Sequence, residues 1–472
     1  MTSVAAPTTP VPIPGSAWRT LAITSMVSFM VSLEITIIAL ARGEIAEAFP
    51  TASASTLSWV ITAYNIGVAS LLLPFGWASD RFGRRRVFLI GLVVFAIGSA
   101  ASGFANSVEV LIVARVLQSV GGAMQFPAGL ALLLTAFPVE RRQLGIGVWG
   151  AMGGLAAALG PSLGALLVDG FGWRAVFLIN VPVALAVVAV APKWLSESVG
   201  DGVPDRVDLF SVPLASLGVG AFVFAVVQSE SWGWSSPAVV ASAVVGVVLV
   251  ASFVRRSQRH PEPLFDLELL RLRTYAIGNV GSLFFVIAFF AWLVTFPEFI
   301  QRTWDWSVLK TGFAIAPGPM IATVVSPITG RLADRIGNGP ILVVGGASGA
   351  IGGALHLVFT GTEPDYLLGI LLPGVFIGVS AGCSFAMLVG AIMTEVPPFR
   401  FGMGGAGRTT IFQLSIAVGV AIAITLTGSP TSPDAFLDGL QRVWVMAVIL
   451  WVLQAVVFAV AFPRPGQHPD GV

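Results

Sequence analysis

Gly76-Trp77-Ala78-Ser79-Asp80-Arg81-Phe82-Gly83 returns in the second half of the chain as Gly330-Arg331-Leu332-Ala333-Asp334-Arg335-Ile336-Gly337. Both copies follow a proline, Pro74 and Pro327, and both close a long apolar block. A motif at matched positions of two halves marks an internal structural repeat. Repeats of this kind underlie transporter folds in which two helical bundles rock about a central site. The blocks around the motif are of membrane-spanning length: residues 236–254 and 443–462 carry no charge at all. A run of about 18 or more such residues reads as a transmembrane helix. A transmembrane barrel would instead show short alternating segments, and none is present.

Composition agrees. Of 472 residues, 56% are hydrophobic and 10% charged, with a net charge of +1. A soluble domain carries about 25% charged residues, so this chain cannot cover a water-exposed surface of its size. No basic cluster has the aromatic interleaving of a nucleic-acid surface. Cys383 is the only cysteine, which excludes an intramolecular disulfide and a thiolate metal site.

Dividing the chain at Gly, Pro and charge clusters predicts fourteen spans: 18–41, 56–79, 86–106, 109–136, 143–169, 174–193, 208–228, 236–254, 274–299, 309–332, 340–360, 366–394, 402–427 and 440–462. Alternate loops carry Arg81, Arg84, Arg85 and Arg86; Arg141 and Arg142; Lys193 and Arg206; Arg255, Arg256, Arg259, Arg271 and Arg273; Arg331 and Arg335; and Arg400. The opposite loops carry only Arg42, Arg174, Arg302, Lys310 and Arg442. The positive-inside rule assigns the first set to the cytoplasm. Both termini then lie on that side, in agreement with an even number of spans. The expected organisation is a disordered cytoplasmic N-terminus (1–17), a six-helix bundle (18–193), a loop and two-helix insertion (194–273), a second six-helix bundle (274–462) and a cytoplasmic tail (463–472).

The repeat has a physical reading as a latch. Gly76 allows close helix approach. Asp80 can meet a helix N-terminus or an arginine at the cytoplasmic face. Gly83 permits a tight turn, and Arg84, Arg85 and Arg86 anchor the loop. Asp334 and Arg335 occupy the equivalent places in the second copy. A basic loop that only sets topology would explain the arginines, but not two matched copies of Gly-x-x-x-Asp-Arg-x-Gly.

These residues carry a resemblance. Residues 76–86 look like the signature loop of the major facilitator superfamily. Leu33-Glu34-Ile35-Thr36-Ile37 resembles the first-helix motif of its fourteen-span drug:proton antiporter family, and Trp59-Val60-Ile61-Thr62-Ala63-Tyr64 resembles the second helix. Residues 156–164, with Gly160, Pro161 and Gly164, are similar to the antiporter motif of the fifth helix. Trp173, Arg174, Phe177, Asn180 and Pro182 fit the sixth-helix entry. The resemblance implies an all-α integral membrane protein of major facilitator type, two six-helix bundles plus two inserted helices. It also implies that residues 160–164 act as a hinge sealing the cytoplasm-facing cavity. Physics alone reads the same glycines as ordinary close packing, with Pro161 able to bend the span.

Several residues could carry chemistry. Glu34 lies about 24 Å along its helix at 1.5 Å per residue. A charge that deep costs roughly 2.5–3.5 kcal/mol and is a functional candidate by default. Burial favours the neutral form of a carboxyl group, which suits a proton carrier; the family usually has Asp here. The plainer role is a structural hydrogen bond. Arg115 begins a polar stripe with Gln118, Gly122 and Gln125, four positions within roughly 80° of one another on the fourth span. The stripe suits a cavity wall; a cytoplasm-facing snorkelling arginine is the alternative. The resemblance implicates this arginine in proton transfer. Trp59, Tyr64 and Asn65 on the second span and Gln413 on the thirteenth are further cavity candidates, although Trp59 also suits an interfacial aromatic belt. Arg408 stands where the family tends to have a small residue; it is read as a cytoplasmic snorkel or as a cation that disfavours cationic cargo. His356 reads as a packing element.

No Gly-x-x-x-x-Gly-Lys-[Ser/Thr] loop and no His-Glu-x-x-His is present, so neither ATP-driven pumping nor metal catalysis is expected. The expectation is therefore not an enzyme but a multi-pass transporter of the inner (plasma) membrane. It would work as a monomer without a cofactor, powered by the proton gradient. It would export small lipophilic or cationic molecules from the bilayer and cytoplasm, with no nucleic-acid partner. Export of one endogenous metabolite or lipid, or a non-transporting sensor with the same fold, are the alternatives.

Overall fold

The computed structural model describes residues 12–200, 208, 210–428 and 432–463. Among these residues lie fourteen long helical elements and no strand. In chain order they are α1 (Gly15–Ala48), α2 (Ala54–Phe82), α3 (Arg84–Gly103), α4 (Val108–Ala136), α5 (Arg142–Phe171), α6 (Arg174–Trp194) and α7 (Ser211–Trp232). Then follow α8 (Pro237–Ser257), α9 (Arg273–Thr303), α10 (Val308–Ile315 and Pro317–Ile336), α11 (Asn338–Phe359), α12 (Leu367–Met393), α13 (Phe401–Thr427) and α14 (Pro433–Val460). Twelve are long and apolar enough to cross a membrane. The other two, α1 and α5, have 34 and 30 residues. A crossing needs about 20, so the chain is a multi-pass membrane protein.

Helix ends follow capping rather than hydropathy, and here several expectations need correction. Residues 15–17, expected to be disordered, form the first turn of α1 behind Pro14. Ala17 is fully buried, and Trp18 meets Phe137 edge-on at 6.0 Å. Residues 1–11, 201–207 (with Arg206) and 464–472 lie outside the described residues, as do the side chains of Arg42 and Pro161. Helix α3 starts at Arg84, two residues before the expected span. Helix α14 starts at Pro433 rather than 440, because Ser432 accepts the Ala435 N–H at 3.2 Å and proline suits a first helical position.

The two halves repeat one packing scheme. In the first, α2 packs on α4, α3 on α4 and α6, and α1 on α5; in the second, α10 packs on α12, α11 on α12 and α14, and α9 on α13. The result is two six-helix bundles with two inserted helices, the architecture expected from the repeat. The halves meet along two seams, α2 against α13 and α5 against α10. The inserted α7 lies on α2 and also touches α13, while α8 packs on α7.

Candidate functional site

Two constellations stand out, one inside the first half and one across each seam. Glu34 is buried in the first, inside a polar layer to which four other helices contribute. Arg115 of α4 pairs with Glu34 Oε1. Asn180 Nδ2 of α6 donates to Oε2 at 2.6 Å. The arginine also donates to Gln118 Oε1 at 2.7 Å and, through Nε, to the Val60 carbonyl of α2 at 3.0 Å. Ser99 of α3 ties the layer together: its Oγ accepts from Gln118 Nε2 and from Asn180 Nδ2, each at 3.1 Å. It donates to the Phe177 carbonyl at 2.9 Å. The Tyr64 ring lies 4.3 Å from the guanidinium carbon, a cation–π distance.

Arg115 sits seven residues from the start of α4, about 10 Å in at 1.5 Å per residue, at the end away from the arginine-rich loops, and is 1% exposed. The cytoplasm-facing snorkel is therefore excluded. The whole layer is dry, so each charge is compensated inside the protein rather than by lipid or water. An uncompensated charge there would cost several kcal/mol.

The polar stripe of α4 continues toward the arginine-rich end. A Cβ at Gly122 would lie 3.0 Å from the Tyr64 hydroxyl, which is buried without a hydrogen-bond partner. Gln125 bonds the Gly91 carbonyl through Nε2 at 3.1 Å and leaves Oε1 unsatisfied. It lines a small recess of about 10 Å³ with Val27, Val31, Phe88 and Trp149. Drug-sized ligands occupy pockets of roughly 300–1,000 Å³, so the recess as it stands is too small for one. Asn65 and Gln413 are half-buried on α2 and α13. Trp59 stacks on Phe224 of the inserted α7 at 5.6 Å.

The second constellation is the repeated motif, used twice in the same way. Asp80 Oδ1 accepts the Gly402 N–H at 2.9 Å, and Oδ2 accepts the Met403 N–H at 2.8 Å. These are free donors in the first turn of α13, where a helix dipole favours an anion. Asp334 Oδ1 accepts the Gln143 and Leu144 N–H groups at 3.1 and 3.4 Å, in the first turn of α5. Each aspartate thus bridges the halves at the arginine-rich end. Glycine makes the approach possible: a Cβ on Gly76 would fall 2.8 Å from the Gly402 carbonyl oxygen, and one on Gly330 2.7 Å from that of Gln143.

Arg84, expected to anchor a surface loop, is 2% exposed and donates to Asp80 Oδ1 through Nη2 at 2.8 Å. Arg85 reaches the Pro192 and Leu195 carbonyls at 3.3 and 3.2 Å. Glu197 accepts the Arg85 and Arg86 N–H groups at 3.0 and 3.1 Å, capping α3. Gly83 turns the chain at φ +105°, a region that disfavours side chains. Arg81 is half-buried and Arg335 exposed. In α5, Gly160 and Gly164 are buried within an unbroken helix.

Sequence reading missed Ser99, Glu197 and the first turn of α13. Serine is common in membrane helices and backbone donors leave no trace in composition, so no signal pointed to them. His356 is fully buried; it accepts from Trp292 Nε1 at 3.0 Å, bonds Thr360 Oγ1 at 2.9 Å and stacks on Trp444 at 4.9 Å.

Comparison with known proteins follows the same lines. The profile of the Major Facilitator Superfamily matches residues 21–420. The chain is 30% identical over 427 residues to the tetracenomycin C resistance and export protein of Streptomyces glaucescens, covering 90% of this chain and 78% of that one. It is 31% identical over 414 residues to the multidrug efflux pump LfrA of Mycolicibacterium smegmatis, covering 88% and 81%. The solved proton:xylose symporter XylE superposes with a TM-score of 0.68 at 14% identity, over 96% of this chain and 97% of that one, a likeness of fold. Repeat, helix packing and sequence relationship converge: the chain belongs to the Major Facilitator Superfamily.

Proposed function

We propose that this protein is a proton-coupled antiporter that exports small lipophilic or cationic compounds by alternating access, from the plasma membrane, with both termini cytoplasmic. Residues 18–193 and 274–462 are the two rocking halves, joined by the loop and helix pair of 194–273. The working unit is a monomer, and the proton gradient is the energy source. No cofactor or nucleic-acid partner enters the cycle.

The observation that carries the reading is the buried Glu34–Arg115 pair. With the carboxylate charged, the pair is neutral and locked between α1 and α4. A proton on Glu34 removes the compensation and leaves Arg115 seeking another acceptor, which favours a different arrangement of the layer. Proton binding and helix movement are coupled in this way without any chemical step. The named activities of the tetracenomycin exporter and of LfrA support the export direction.

The test is transport by the purified protein in liposomes with an imposed pH gradient. Glu34→Gln is expected to abolish uphill efflux while leaving downhill exchange, and Glu34→Asp to restore part of it. Undiminished proton-driven export by Glu34→Gln would rule the proposal out. A second reading, export of a single endogenous compound, is favoured by the one-compound name of the Streptomyces relative. Broad mutual competition across a substrate panel supports the first reading, and a single saturable ligand the second.

A further inference from the structure

Among the described residues, the second half holds one buried intramembrane cation without an acidic partner. Arg408 lies seven residues into α13 and is 8% exposed. Its Nε is buried without a hydrogen-bond partner. Among the described residues no carboxylate pairs with it, whereas Arg84, Arg115 and Arg256 each hold an acid. Its charge therefore lacks a counterion in a low-dielectric setting, an arrangement that costs energy and marks a functional candidate by default.

Position on the helix shows where the cation faces. A Cβ on Gly405 would meet Leu130 of α4 at 3.2 Å, so that side of α13 looks toward the first half. At about 100° per residue, Arg408 and Phe412 lie within roughly 60° of Gly405. The guanidinium carbon is 5.3 Å from the Phe412 ring. Phe412 in turn sits edge-on to Phe290 of α9 at 6.1 Å and to Phe385 of α12 at 6.2 Å. Phe289 meets Phe385 edge-on at 5.0 Å. Phe289, Phe290, Phe385 and Phe412 are all half-buried.

A planar, always-charged donor fork beside half-buried aromatic rings matches one ligand chemistry. Arginine binds carboxylates and similar oxyanions through two parallel N–H bonds, and phenyl rings stack on or edge against a flat hydrocarbon. We infer that Arg408 and the rings of Phe289, Phe290, Phe385 and Phe412 form the cargo site, and that it selects aromatic organic anions. This rests on the exporter reading above and narrows it away from cationic cargo. An aromatic cation placed there would meet Arg408 as a like charge and be repelled.

The test uses two probes of one shape and opposite charge, 2-naphthoate and 2-naphthylmethylammonium. Binding to the detergent-purified full chain is read by equilibrium dialysis, and uptake into inverted proteoliposomes under a pH gradient is read in parallel. Wild type is expected to bind naphthoate at least tenfold more tightly than the ammonium compound. Arg408→Gln is expected to lose at least tenfold in naphthoate affinity, Arg408→Lys to recover part of that loss, and Phe412→Leu to weaken both probes alike. A melting temperature of each variant near that of wild type excludes misfolding as the cause. Equal naphthoate affinity in wild type and Arg408→Gln overturns the inference, as does a wild-type preference for the cation or no binding of either probe. If the ammonium probe is nevertheless driven by the pH gradient, the assigned cargo class falls while the exporter reading stands. If Glu34→Gln and wild type move every probe equally, it is the exporter reading that falls.

Discussion

Replacing Asp80 by asparagine isolates the bond between the two halves. The salt bridge from Asp80 to Arg84 lies within the first half, so it does not itself join the two halves. Asp80 crosses the seam through two carboxylate bonds to the Gly402 and Met403 N–H groups, at 2.9 and 2.8 Å, beside the bond from Arg84 to the Pro398 carbonyl. A hydrogen bond to a charged group contributes about 1.5–3 kcal/mol, and a neutral one about 0.5–1.5. Asparagine keeps one acceptor of similar shape but loses the charge and the second bond. The arrangement joined at the arginine-rich end should thus lose roughly 2.5–4.5 kcal/mol, a shift of about 70- to 2,000-fold toward separation. The assay is a spin–spin distance measurement between labels at Phe82→Cys and Leu332→Cys, both exposed and in opposite halves, in a Cys383→Ser background. Wild type should show a single short population, and Asp80→Asn a second, longer one. Identical distance distributions would refute the view that these two bonds hold the seam.

Gly402→Ala tests the same seam by sterics, since the added methyl would lie 2.7 Å from the Gly76 carbonyl oxygen. Overpacking costs about 1–3 kcal/mol, and the same labels should report the same lengthening. For the buried pair, Glu34→Gln and Arg115→Gln should each lower the melting temperature, because breaking one partner of a buried ion pair costs about 3–5 kcal/mol. The double variant should melt above either single one, which a thiol-independent melting assay can measure. Asp208 provides a pH prediction. Asp208 lies outside the spans, ahead of α7, and its hydrogen bond to Arg256 at the end of α8 holds its carboxyl down to about 2, below the ordinary 3.8. Its stabilisation is complete above that ordinary value and is lost as pH falls toward 2. Melting of wild type should therefore fall more steeply than that of Asp208→Asn below pH 4. His356→Leu orphans the Trp292 N–H and should cost about 1–3 kcal/mol in stability, with transport per folded molecule unchanged.

The number and nature of the spans, the two-half repeat and the rare buried charges were legible in the one-dimensional order of residues. In a bilayer, length, apolar content and loop arginines act locally on each segment, and a window of sequence carries them. Glu34, Arg115, Asp80 and Asp334 stood out for the same reason: a charge at or near hydrocarbon is conspicuous without knowledge of its neighbours. Their partners were not legible. Asp80 meets backbone groups 322 and 323 positions away, and Glu34 meets an asparagine 146 positions away. Whether Trp59 faces a cavity or stacks on Phe224 of α7 depends on which helices adjoin and how each is turned about its axis. Those choices come from the packing of whole faces, a sum over many small contacts in which no single residue announces its counterpart. Tertiary structure alone could decide them, including the isolation of Arg408.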